Sequence, residues 1–135
     1  MEMNGIRRVL LHGSSDESFD GSARFAARLV ENFGAELHIV YVIEEPLSAG
    51  WTAEMAAERL PELHQAMEAE ARERLARVVP DQEHVVVAIR TGEPAAELTR
   101  YTTEHAIDLA IVQGPDAHAH ALLDEGHCAL LVLRK

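Results

Sequence analysis

Five short, densely apolar runs recur along the chain. Their apolar residues are too closely spaced for a sheet with one face in water, so each run is expected to be a strand buried on both faces. The runs are IRRVLLHG, ELHIVYVI, HVVVAIRTG, DLAIVQG and CALLVLRK. Segments with apolar residues at helical spacing separate the first four. This alternation predicts an open, five-stranded, mainly parallel α/β sheet of Rossmann-like type, with helices on both faces.

Capping residues and prolines predict where the helices begin and end. Asp16 or Ser18 is expected to cap the first helix, and Gly34 to end it in a left-handed conformation. A loop, EEPLSAGWTAEM, is predicted to precede a long acidic helix from Pro61 to about Val79. The apolar stripe of that helix is Leu63, Met67, Ala71 and Leu75. Pro94 lies near the first turn of the third helix.

Size, charge and cysteine content exclude several classes of protein. The 135 residues are expected to form a single domain, residues 1–135. The net charge of −11 argues against binding nucleic acid, which requires clustered lysine and arginine. No apolar run approaches the roughly 20 residues of a membrane span, and no secretory signal is recognised. The one cysteine, Cys128, is typical of a reducing compartment, so a cytoplasmic location is expected.

The negative charge is concentrated in one segment. Residues 44–84 contain ten acidic residues and four arginines. The segment is interpreted either as the solvated face of a helix or as a docking surface for a basic protein partner.

Five residues at the ends of the predicted strands are candidates for a nucleotide pocket. Ligands of such sheets bind beyond the carboxyl ends of the strands, where the strand order reverses. Ser14 and Asp16 follow the first strand, and Gly114 ends the fourth. Ile43 ends the second strand and Gly92 follows the third. Glycines at such positions allow backbone amides to approach a phosphate closely.

The order and spacing of these segments resemble the universal stress protein family over nearly the whole chain. The stretch from RRVLLHG to ELHIVYVIEEP resembles the family's first strand, loop, helix and second strand. HCALLVLRK is similar to its terminal strand, with Cys128 at the cysteine. The characteristic positions between the third and fourth strands are occupied by Gly92, Pro94, Asp108, Leu109, Val112 and Gly114.

The resemblance implies a sheet ordered 3-2-1-4-5 and a role in stress tolerance without a settled chemical reaction. It also implies a homodimer paired through the last strand, Cys128 to Lys135. A dimer is also favoured on physical grounds, because an apolar edge strand is prone to aggregation unless another strand pairs with it.

The glycine-rich loop of the ATP-binding family members is altered in this chain. Gly114 matches the first glycine of that loop, but Ala117 replaces the second. Gly126 lies one residue short of the third, and His127 replaces the hydroxyl residue. Thirteen residues, 115–127, separate Gly114 from Cys128, which is much shorter than is usual in the family. The last helix is therefore expected to be truncated and the phosphate loop lost.

The first loop departs from the family's nucleotide-binding pattern as well. Ser14 stands where nucleotide-binding relatives have an aspartate that contacts the adenosine. ATP binding is therefore not expected, and no cofactor is predicted. The alternative is a stress sensor that holds ATP or AMP in the pocket at the end of the sheet.

Neither catalysis nor metal binding is expected. Ser15 follows Gly13 by two residues, but Glu17 stands where a nucleophile elbow needs its second glycine. Helical residues two apart point away from each other, so histidines at that spacing chelate a metal only in an extended segment. The residues considered as metal ligands are His118, His120, His127 and Cys128. The prediction is a non-enzymatic protein that acts in the stress response by binding, with an unidentified protein partner.

Overall fold

The computed structural model describes residues 5–14, 16–44, 50–79, 81–114 and 128–134. Five strands and three helices lie within these residues. They are β1 (Arg8–His12), α1 (Phe19–Phe33), β2 (Glu36–Ile43), α2 (Ala53–Val78), β3 (Val85–Thr91), α3 (Pro94–Glu104), β4 (Leu109–Gly114) and β5 (Ala129–Arg134). The segment predicted to contain a truncated helix and a degenerate phosphate loop, residues 115–127, lies outside the described residues.

The strands form one parallel sheet in the order β3-β2-β1-β4-β5, as predicted. β1 is central and is flanked by β2 and β4. Its residues Val9, Leu10 and Leu11 are fully buried, which explains why this run is apolar at consecutive positions rather than at every second one. The strand order reverses at β1, so the carboxyl ends of β1 and β4 flank the place where such sheets bind ligands.

Helices cover both faces of the sheet, which confirms the predicted architecture. On one face, Phe19 and Val30 of α1 and Leu75 of α2 belong to the larger apolar cluster. On the other face, Leu98 and Tyr101 of α3 belong to a second cluster. Burial of these side chains supplies the main favourable contribution to folding.

The helix α1 has the predicted ends. Ser18 occupies the N-cap position, and the carboxylate of Asp16 accepts a hydrogen bond from the Ser18 amide at 3.1 Å. Gly34 ends the helix with a φ of 63°, a left-handed conformation that favours glycine.

The helix α2 begins eight residues earlier than predicted. Thr52 caps it by accepting a hydrogen bond from the amide of Met55 at 3.1 Å, and Pro61 lies inside the helix. The prediction that the helix starts at Pro61 was wrong because the cap and the helix-forming residues after Thr52 outweigh the one hydrogen bond that a proline removes. No helix among the described residues is both long enough and apolar enough to span a bilayer.

The two edges of the sheet are formed by β3 and β5. Val132 of β5 is 50% exposed and Val86 of β3 is 37% exposed. Leu130, Leu131 and Leu133 of β5 are only partly buried. Within the described residues, β5 is therefore the edge with more exposed aliphatic surface.

Candidate functional site

A cavity of about 340 Å³ opens at the carboxyl edge of the sheet. It lies between the loop after β1, the end of β2 and the middle of α2. Its lining consists of Gly13, Ser14, Tyr41, Val42, Met67, Glu70, Ala71 and Arg74. The volume is near the lower end of the range found for small-molecule sites.

The ring of Tyr41 lies directly against Gly13. A Cβ atom at position 13 would come within 2.6 Å of the Tyr41 ring. The amide of Gly13 donates a hydrogen bond to the carbonyl of Val40 at 2.8 Å, so the backbone at position 13 cannot easily move away. Burial raises the pKa of the Tyr41 phenol, and the ring lies 6.0 Å from that of Phe19. Position 13 therefore favours glycine, because the Tyr41 ring leaves no room for a Cβ atom.

Arg74 ties α2 to the loop after β1. Its Nε donates to Oδ1 of Asp20 at 3.0 Å, and its Nη2 donates to the carbonyl of Asp16 at 2.8 Å. Within that loop, the amide of Asp16 donates to Oγ of Ser14 at 3.0 Å. Described polar groups of Ser14 and Asp16 are therefore bonded to each other and to α2.

Gln113, near the carboxyl end of β4, contacts Ser18 at the start of α1. Its side-chain amide donates to the carbonyl and to Oγ of Ser18, at 3.3 Å and 3.2 Å. This contact spans the position at which the strand order reverses, where a ligand of such a sheet would enter.

Of the five candidate residues, only Ser14 lines the cavity. Asp16 lies in the same loop but outside the lining, and Ile43, Gly92 and Gly114 make contacts elsewhere. The carbonyl of Ile43 accepts a hydrogen bond from the amide of Gly92 at 2.9 Å. Gly92 has a φ of 149°, and a Cβ there would lie 2.9 Å from Oε2 of Glu97. A Cβ at Gly114 would lie 2.6 Å from Cγ1 of Val132 in β5. Backbone conformation and close packing account for both glycines without a ligand.

Several cavity residues were missed by reasoning from the sequence. Glu70 and Arg74 of α2 were counted only as part of the acidic segment, and Tyr41 appeared only within the strand-forming run ELHIVYVI. The sequence does carry a signal that four lining residues of α2 share one face of a helix. Their intervals are three, one and three residues, at Met67, Glu70, Ala71 and Arg74. What the sequence did not reveal is that this face turns toward the loop after β1.

A second polar cluster lies beneath α3. Nε2 of His38 is 2.7 Å from Oε1 of Glu36, and Nδ1 is 2.6 Å from Oη of Tyr101. The Glu36 carboxylate can only accept a hydrogen bond, which favours the tautomer of His38 with its proton on Nε2. In that tautomer, Nε2 of His38 donates to Glu36 and Nδ1 accepts from the hydroxyl of Tyr101. A carboxylate, an imidazole and a hydroxyl in series have the composition of an activated nucleophile.

The position of Tyr101 excludes that role. The residue is 2% exposed, and burial raises the pKa of its phenol. The ring of His105 stacks on it at 3.9 Å between centroids, and the guanidinium of Arg90 lies 5.4 Å from its centroid. Because no substrate can reach the hydroxyl, the cluster serves the packing of α3 against the sheet.

No metal site is found among the described residues, where no group of three or more His, Cys, Asp or Glu side chains converges. The predicted exposed histidines His118, His120 and His127 lie outside those residues. Cys128 is partly buried against the second apolar cluster, and burial raises the pKa of its thiol.

A sequence model of the universal stress protein family matches residues 5–134. The chain belongs to this family. No curated protein matches the sequence significantly. The family assignment therefore rests on the family model and agrees with the observed strand order.

Solved universal stress proteins share the fold. The universal stress protein UspA from Lactobacillus plantarum has a TM-score of 0.72 at 19% identity, over 95% of this chain and 97% of that one. A universal stress protein in complex with cAMP has a TM-score of 0.69 at 14% identity, over 96% and 97%. One from Archaeoglobus fulgidus in complex with dAMP has a TM-score of 0.63 at 11% identity, over 94% and 96%.

Replacement of Gly13 by alanine is expected to lower the free energy of unfolding by about 1–3 kcal/mol, because the added Cβ overlaps the Tyr41 ring. In a Tyr41→Val background the same replacement is expected to cost less. Urea unfolding of the four proteins measures the coupling. Gly21→Ala is the control, since its added Cβ meets no described atom within 4 Å beyond its chain neighbours and the nearby backbone of its own helix. Equal costs in both backgrounds would contradict the contact.

Proposed function

We propose that this universal stress protein acts in the stress response by binding other proteins, is not an enzyme, and does not hold ATP. The observation that carries the proposal is the mutual pairing of polar groups at the carboxyl edge. Arg74 is paired with Asp20 and with the carbonyl of Asp16, and Gln113 is bonded to Ser18. These groups would have to exchange protein partners for phosphate oxygens before a nucleotide could use them.

The charges at the cavity also oppose a triphosphate. Its lining carries Glu70 and Arg74, and Arg74 already faces Asp20. Two unit charges 4 Å apart interact by about 4 kcal/mol near a protein surface, so an added polyanion would be repelled by the two carboxylates. Drawing Arg74 toward a phosphate would leave Asp20 without this partner. The altered loop at Gly114 and Ala117 supports the same conclusion from the sequence.

The assignment as a non-enzyme is supported by the inaccessible hydroxyl of Tyr101 and by the incomplete elbow around Ser15. A cytoplasmic location is supported by the single cysteine.

The second candidate is an adenine mononucleotide sensor that uses the cavity beside Ser14. It is favoured by the volume of about 340 Å³ and by relatives of the same fold whose structures contain cAMP and dAMP. A mononucleotide carries less charge than ATP and needs no loop for a triphosphate.

Isothermal titration with ATP and with AMP separates the two candidates. The proposal predicts a dissociation constant for ATP above about 1 mM, because the hydrogen bonds to phosphate are missing. Glu70→Lys places a cation in the cavity and is expected to tighten ATP binding at least about tenfold. Glu73→Lys, on the same helix but outside the lining, changes the net charge equally and is the matched control.

The outcomes of this titration are distinct. Micromolar binding of ATP by the unaltered protein would contradict the proposal. Measurable binding of AMP that is tighter than that of ATP would replace it with the mononucleotide sensor. Equal effects of Glu70→Lys and Glu73→Lys would show that the cavity is not where the nucleotide binds.

We also propose that the protein forms a homodimer through its last strand. β5 is an edge strand, and its Val132 is 50% exposed. Pairing with the same strand of a second copy about a two-fold axis would satisfy the free backbone groups of this edge and cover the valine.

Val132→Lys is expected to shift the protein from dimer to monomer in sedimentation velocity, because it buries a charge at the pairing edge. Val86→Lys places the same charge on the opposite edge strand, β3, and is expected to leave the dimer intact. Persistence of the dimer in the Val132 variant, or its loss in both variants, would contradict pairing through β5.

A further inference from the structure

A second and larger cavity, of about 680 Å³, lies at the amino edge of the sheet, opposite the site described above. It is enclosed by the C-terminal halves of α1 and α2 and by the start of β3. Val30, Ala35 and Val79 on its lining are buried members of the larger apolar cluster. The cavity therefore offers an aliphatic floor that is continuous with the core of the protein.

One wall of this amino-edge cavity carries two arginines. Arg24 and Arg28 lie one helical turn apart on α1 and both line the cavity. Among the residues that the structure describes, neither makes an ion pair, although the chain has 23 acidic and 12 basic residues. Like charges at this spacing repel, and the carboxylate of Asp20, one turn before Arg24, pairs with Arg74 of α2.

The remaining charges limit the charge of a ligand. Glu31 and Asp81 also line the cavity, and Oδ1 of Asp81 accepts a hydrogen bond from the amide of Glu83 at 3.0 Å. The lining thus holds two guanidinium groups, two carboxylates and the imidazole of His84. A ligand with a single negative charge can pair with the arginines, whereas each further charge adds repulsion from the carboxylates.

We propose that the amino-edge cavity binds a small amphipathic monocarboxylate. The aliphatic body lies on the floor formed by Val30, Ala35 and Val79, and the carboxylate pairs with Arg24 and Arg28. Guanidinium groups bind carboxylates through two parallel hydrogen bonds, and an apolar lining with few polar groups is typical of small-molecule sites. This site is independent of the carboxyl edge and of the function proposed there.

Titration of the ¹⁵N-labelled protein with octanoate tests the proposal. Chemical-shift changes that saturate are expected at the amides of Ala27, Gly34, Ala35, Val79 and Val85, and not at Gly13 or Ser14. Within the series hexanoate, heptanoate and octanoate, affinity is expected to rise about fourfold for each added methylene group. Octyl phosphate, with its greater charge, is expected to bind more weakly than octanoate.

Variants separate the proposed site from nonspecific adsorption. Arg24→Gln combined with Arg28→Gln is expected to weaken octanoate at least about tenfold and to leave the weaker binding of uncharged octanol unchanged. Arg77→Gln, which removes one exposed arginine of α2 outside the lining, is the control for loss of a distant charge. Ala27→Leu adds three carbon atoms to the lining and is expected to weaken octanoate binding by narrowing the cavity. The dispersed spectrum of each variant reports whether it is folded.

Saturable shifts at the lining that depend on the two arginines would support the proposal. It would be overturned by the absence of saturable shifts at millimolar octanoate, or by shifts confined to other surfaces. Equal loss of affinity in the Arg77 variant, or octanol binding as tightly as octanoate, would also overturn it.

Discussion

Arg74 reaches from α2 to the loop after β1, where it donates one hydrogen bond to the carboxylate of Asp20 and another to the carbonyl of Asp16. The rest of the carboxyl edge depends on this pairing. It fixes the distance between α2 and the loop, and so the width of the cavity that Tyr41 and Glu70 also line. Gln113 holds the same loop from the other side through Ser18. Among the described residues, several polar groups at the edge that binds ligands in many α/β sheets therefore contact one another beside the open cavity.

The main features of the fold followed from local patterns. Runs such as ELHIVYVI are apolar at too many consecutive positions to be anything but strands buried on both faces, and Gly34 was recognisable as a helix end. The strand order came from the family resemblance, because the apolar pattern does not specify which strands are neighbours. The start of α2 was missed because Pro61 was taken for a first-turn proline, although Thr52 offered an earlier cap. The rule that places a proline in the first turn of a helix failed there, because the cap at Thr52 starts the helix before Pro61.

The site was less predictable because its contacts are distant in sequence. Ser14 follows β1 at the carboxyl edge and lines the cavity, and its part in a nucleotide pocket stays a prediction. Arg74 and Asp16 are 58 residues apart, and Gln113 and Ser18 are 95 apart, so neither pair could be read from spacing. Gly92 and Gly114 were candidates for the nucleotide pocket, but Gly92 has a positive φ and Gly114 lies beneath Val132. A glycine indicates that the backbone conformation or a close neighbour disfavours a Cβ atom at that position. The sequence alone does not tell whether that neighbour is a ligand or another side chain.

The most direct test is to follow the Nε–Hε signal of Arg74 by NMR while millimolar ATP is added, with the signal assigned by its absence in Arg74→Lys. If the guanidinium is committed to Asp20 and Asp16, the signal will exchange slowly with solvent and keep its chemical shift throughout the titration. A saturable shift of the Arg74 signal on addition of ATP would show that the guanidinium is available to phosphate, and would contradict this account of the carboxyl edge.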